Sequence, residues 1–181
     1  MADPWAIASG VGALASVAGA WAVYRGQTRQ VDFELARTLH LDLTSGEVAL
    51  ARYVLVSFRR GQQAYGPEVL AAYFTMLWCF ERVLQGRRSM IRSPFDRLRR
   101  SSPVRFLDEA LAMHVASWER NLPEIRQRLN EALAEVHGDE LRDRGLTAKF
   151  EALARALRSA GVMPTPAPVA LPAQGESASA S

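Results

Sequence analysis

Three histidines and one cysteine are the side chains of this 181-residue sequence best suited to chemistry, and their spacing limits what they can do. His40 precedes an apolar run, His114 lies beside a stripe of leucines and a tryptophan, and His137 falls near an expected helix end. None belongs to a His-Glu-x-x-His or Glu-x-x-His pair, the spacings that place two metal ligands on one helical face. A helix-borne zinc or di-iron site is therefore not expected. His114 is the histidine most worth locating, although a core or interface imidazole is the simpler account of it. His137 near a helix C-terminus is explained by the favourable interaction of a cation with the helix dipole. Cys79 sits among Leu77, Trp78 and Phe80, where a buried, inert thiol is expected. As the sole cysteine it excludes an internal disulfide and any multi-cysteine metal site.

Other chemistries lack their frames. There is no Walker-type phosphate loop, no GxGxxG following a strand and no Gly-x-Ser-x-Gly elbow. Glu81-Arg82, near the end of an apolar helix, reads as a surface pair. Asp108-Glu109 and Asp139-Glu140 are adjacent acids that leave a helix in different directions and are expected in solvent. No catalytic, cofactor-binding or metal-binding residue is assigned, and no cofactor is expected.

The strongest local signal is a charge asymmetry. Between Gly86 and Arg105 stand seven arginines (87, 88, 92, 97, 99, 100 and 105) against Asp96 alone. Between Phe106 and Asp143 stand nine acids against four arginines. Met90, Ile91, Phe95 and Leu98 interleave the basic stretch. Two uses of it are open: pairing with the acidic helices of the same domain, or contact of Arg87, Arg88, Arg92, Arg97, Arg99 and Arg100 with an anionic inner leaflet. Base-stacking aromatics are scarce there, which argues against nucleic acid. All but one of the 22 basic residues are Arg, a pattern of GC-rich bacterial genomes rather than a functional signal.

The elements that must position these groups begin with twenty uncharged residues, Trp5 to Tyr24. As a helix they would measure roughly 30 Å, the thickness of a bilayer's hydrocarbon core. Trp5 marks one end and Trp21 with Tyr24 the other, the aromatic placement of a membrane interface. A transmembrane helix is expected over 5–24, preceded by a short extracytoplasmic leader, 1–4. A cleaved signal peptide and a buried helix of a soluble bundle are the competing readings. Ala18-Gly19-Ala20 suits cleavage, but the leader carries Asp3 and no basic residue. Arg25 and Arg29 follow the span directly, so the N-terminus is expected outside and the rest in the cytoplasm. Ala8, Gly12, Ser16 and Ala20 recur every fourth residue and offer a small-residue face for self-association.

Residues 25–161 are expected to form a cytoplasmic domain, an all-α bundle of about five helices. Local alternation at Val31, Phe33 and Leu35 is the one strand-like feature. The lack of Gly or Pro from Gln27 to Thr44 favours a helix, continuous with the span in one version. Thr44-Ser45-Gly46 breaks the chain, and Val48, Ala51, Leu55 and Phe58 face inward from a second helix. Pro67 to Leu84 is apolar nearly all round and is placed at the centre. Ser102-Pro103 opens a helix with Leu107, Leu111, Val115 and Trp118 inward. Pro123 permits a fresh start for Ile125, Leu129, Leu133 and Val136. Thr147 is expected to cap a last helix carrying Phe150, Leu153, Leu157 and Ala160. The Pro-, Ala- and Ser-rich tail, 162–181, is expected to be disordered.

This layout resembles an uncharacterised bacterial family of single-pass membrane proteins with a helical cytoplasmic domain. The similar elements are RGQTRQ at 25–30, Asp32-Phe33-Glu34, the aromatic helix with its basic turn YFTMLWCFERVLQGRR at 73–88, and SWERNLPEI at 117–125. The resemblance implies a membrane-tethered helical protein and transfers no catalytic residue. Three functions follow as expectations. The first is a non-enzymatic, membrane-tethered scaffold or regulator that self-associates or binds a cytoplasmic protein. The second is a self-associating membrane effector in stress or phage defence, and the third an enzyme whose site is not visible in sequence.

Overall fold

The computed structural model describes residues 4–91, 101–138, 141–143 and 145–164, with side chains from residue 19 onward except that of His137. Regular structure among these residues is entirely helical: α1 (Pro4–Thr44), α2 (Gly46–Arg59), α3 (Pro67–Met90), α4 (Ser102–His137) and α5 (Leu146–Ser159). Arg92, Arg97, Arg99, Arg100, Asp139, Glu140 and the tail from residue 165 lie outside the described residues, as do the side chains of Ala8, Gly12 and Ser16.

The apolar N-terminal segment and the residues after it form one helix of 41 residues. Its burial switches on abruptly. From Gly19 to Val31 the residues are exposed apart from a half-buried Thr28, whereas Asp32, Ala36, Leu39 and Leu43 are buried at helical spacing. The alternation at 31–35 is therefore not a strand: Val31 and Phe33 lie on the outer face of a helix. Among the described residues, which exclude the side chains of 4–18, no helix is long and apolar enough to cross a membrane, so the transmembrane helix expected over 5–24 is not shown.

Ser45 separates α1 from α2 in an extended conformation, and Gly46 follows at φ +58°, which glycine adopts without a steric penalty. The hydroxyls of Thr44 and Ser45 donate to the carbonyls of His40 (3.0 Å) and Leu41 (2.6 Å), and the Ser45 N–H also donates to the Leu41 carbonyl (3.0 Å). Val48, Ala51, Leu55 and Phe58 are buried as their spacing requires.

α3 touches all four other helices, and eleven of its 24 residues are buried. It runs six residues past the expected end at Leu84, through Gly86. A Cβ at Gly86 would stand 2.4 Å from Leu39 Cδ1, so this glycine is the flat spot on which α1 lies. Close packing of α1 outweighs the roughly 1 kcal/mol cost of glycine inside a helix.

α4 corrects the expected restart at Pro123: one helix of 36 residues passes straight through it. Proline cannot donate to the carbonyl of Glu119, which costs the helix a bond. The buried row Leu107, Leu111, Val115, Trp118, Leu122, Ile125 and Leu129 keeps its phase across the proline, and tertiary packing carries the helix through.

At the start of α5 the cap is Gly145, at φ +79°, not Thr147. Asp143 organises this turn by accepting from the Gly145 N–H (3.1 Å) and from the Thr147 hydroxyl. Thr147 is buried and its hydroxyl also meets the Tyr73 hydroxyl at 3.4 Å. Beyond α5, Gly161 closes the helix at φ +67°, and Met163 packs into the core. The chain thus stays anchored two residues into the segment expected to be a free tail. The bundle between residues 27 and 161 is four complete helices and the second half of α1 rather than five separate helices.

Candidate functional site

The two histidines that sequence left apart are brought together. His40 on α1 and His114 on α4 stand with ring centroids 6.3 Å apart, and Phe106 meets His40 edge-on at 6.5 Å. Phe33 extends the row, 6.4 Å from Phe106. Burial, then the charge of Arg52, then His40 hold the His114 pKa below its ordinary value. The imidazole is therefore neutral near pH 7, and the folded state resists its protonation. Stability linked to His114 is present above its ordinary pKa and is lost as pH falls from there toward the lowered value. His40 Nδ1 is buried without a hydrogen-bond partner among the described residues. No group of three His, Cys, Asp or Glu side chains among those residues could hold a metal.

Beside this pair lies a cavity of about 260 Å³ between α1, α2, α3 and α4. α4 supplies most of its wall, since Met113, His114, Ser117, Trp118, Asn121 and Ile125 share one helical face. Leu43 comes from the end of α1, Arg52 and Val56 from α2, and Met76 and Phe80 from α3. Arg52 is held there because its guanidinium donates to the Leu43 carbonyl at the C-terminus of α1, where cations are favoured. Phe80 packs on Trp118 with centroids 6.0 Å apart. Asn121 accepts from Arg59 at 2.8 Å, fixing the amide. The chamber is mostly apolar, with Arg52, Ser117 and Asn121 among its polar lining residues.

Little in the sequence pointed to this chamber. Arg52 stood out by no motif, and whether His40 faces His114 depends on the rotation of α1 against α4. Of the α4 residues on its wall, Trp118 and Ile125 were legible as inward positions.

The residues expected at the inner leaflet divide. Arg87 is buried and unavailable to lipid: its Nε and Nη2 donate to the two carboxylate oxygens of Asp108 at 2.6 and 2.9 Å. Asp108 is 0% exposed, which corrects its expected solvation, while Glu109 is exposed and pairs with Arg105. Arg88 is exposed. Glu81 and Arg82 do not form one surface pair. Glu81 accepts from Lys149 on α5, and Arg82 lies 3.6 Å from Asp42 on α1. Arg59 with Glu124 and Arg158 with Glu119 are further pairs in which basic residues meet the acidic α4.

Cys79 is buried at 2% exposure, and desolvation pushes its thiol up to about 11. A bulky aromatic disulfide reagent at pH 8 is expected to modify the native chain at least a hundredfold more slowly than the urea-unfolded chain. Equal rates would mean that α3 opens readily.

No protein-family model matches the chain, and neither a curated protein nor a solved structure does. The resemblance in layout rests on the quoted sequence elements alone.

Proposed function

We propose that this chain is a membrane-tethered helical scaffold or regulator, its N-terminal segment anchored in a bilayer and its bundle on the cytoplasmic side. The observation that carries the reading is the uncovered stretch of α1 from Gly19 to Tyr24. Trp21, Val23 and Tyr24 are 56, 61 and 64% exposed, and none of the described residues covers them. An apolar helical stretch without such cover is suited to another apolar medium. The sequence from Trp5 to Tyr24 has the length for a bilayer, and its backbone bonds are satisfied within one helix. Arg25 stacks on the Trp21 ring at 4.1 Å, a cation and an indole together at the expected interface. A binding role is favoured over an enzymatic one because the groups acting on His114 among the described residues are Arg52 and His40 rather than an orienting carboxylate.

The test is carbonate extraction of membranes carrying the full chain fused at its C-terminus to green fluorescent protein. Fluorescence is expected in the extracted membrane. Leu14→Arg, at the middle of an Ala- and Gly-rich span, costs insertion about 2.5–3.5 kcal/mol and is expected to shift most of the fusion to the soluble fraction. A wild-type fusion found mainly in the soluble fraction overturns the anchor. The effector alternative shares that anchor and is favoured by the exposed Ala20. Growth arrest on overexpression that disappears in Gly12→Leu with Ser16→Leu would select it.

A further inference from the structure

The chamber between α1, α2, α3 and α4 has the chemistry of a binding site, independently of how the protein is anchored. Arg52 is among the lining residues, and its guanidinium can only donate. Asn121 has its carbonyl oxygen engaged by Arg59, which leaves its amide nitrogen as a donor. Ser117 adds a hydroxyl, and no carboxylate stands among the lining residues. The polar lining is thus one cation with neutral donors, a setting that favours an acceptor-rich anion and rejects cations.

Val56, Met76, Phe80, Met113 and Ile125 form the remaining wall. They bury hydrocarbon, and the two methionines adapt to its shape. A single arginine beside a neutral imidazole balances one negative charge and leaves a doubly charged phosphate under-compensated.

We propose that this cavity binds a monocarboxylic acid with a compact apolar body, its carboxylate on Arg52 and its hydrocarbon against Met76, Phe80 and Met113. A cavity of about 150 Å³ accommodates benzene. The roughly 260 Å³ here suits a body of about six to ten carbons. Such an acid could come from solution or from a membrane lipid, and chain length separates the two sources.

The experiment is a titration of the purified full chain, in lipid discs with empty discs as reference. Sodium octanoate labelled with ¹³C at its carboxyl carbon is followed by its chemical shift. Saturable binding is expected, with 1-octanol, which has the same tail without the anion, at least tenfold weaker. Arg52→Met keeps an apolar stem and removes the cation, and is expected to weaken octanoate by about tenfold. Met113→Trp, at a position 72% exposed, is expected to fill the mouth of the cavity and abolish binding. Weaker binding of hexadecanoate than of octanoate supports a soluble acid, and tighter binding supports a lipid-derived one. Non-saturable octanoate, octanol binding as tightly as octanoate, or full binding in Met113→Trp overturns the proposal.

Discussion

Asp108→Ala lowers the stability of the helical bundle by about 3–5 kcal/mol, a loss read from the midpoint of urea unfolding followed by circular dichroism. The carboxylate is fully buried and takes both hydrogen bonds of a bidentate pair from Arg87, whose side chain is 11% exposed. Removing it strands a guanidinium that burial deprives of water, and that penalty exceeds the worth of the pair itself. Against a total of about 5–15 kcal/mol for a domain, the loss is enough to unfold a marginal fold. The double variant Arg87→Met with Asp108→Leu removes the charge together with its partner and is expected to recover most of the stability. A single variant within about 1 kcal/mol of wild type would show that water reaches Arg87, and α3 and α4 would then be joined by packing alone.

That pair also shows how far the sequence could be read. Asp108 was placed in solvent because it is adjacent to Glu109. Yet it stands four residues after Val104 and three before Leu111, on the inward row of α4. The phase of the helix was legible, and it assigns Asp108 inward and Glu109 outward. What sequence does not contain is the partner 21 residues away, since Arg87 belongs to a basic run that looks like surface. Pro123 illustrates the same conflict between a local rule and the phase of a stripe, and the stripe prevailed. The inward faces of α2 and α5 were legible because burial and period coincide there. The meeting of His40 with His114 was not, because it depends on how two long helices are rotated. Nor was the role of Gly86, which marks the close approach of α1 rather than a loop.

Both halves of α1 obey one principle with different partners. Ala36, Leu39 and Leu43 are covered by the bundle, and among the described residues nothing covers the stretch from Gly19 to Tyr24. Because no break separates the two, whatever holds the first half also sets the orientation of the bundle, a rigid link rather than a flexible tether.

The opposite end of the bundle depends on one ring. Phe150→Ala is expected to cost about 3–5 kcal/mol, the usual range for removing a buried phenylalanine. Phe150 is 2% exposed and stands 4.9 Å from Phe80, centroid to centroid. α5 has 14 residues, close to the length at which an isolated helix is marginal in water, so its packing on α3 sustains it. Hydrogen exchange should therefore show α5 losing protection before α2, α3 and α4. Trp78→Ala, at a position 59% exposed, is the matched aromatic control and is expected to shift stability by no more than about 0.5 kcal/mol. The consequence reaches the cavity as well. Phe80 packs between Phe150 and Trp118, so losing Phe150 frees the ring that holds Trp118 in place. Uniform loss of protection through all helices would instead mean that α5 is part of the folding unit itself, with Phe150 pinning the whole core.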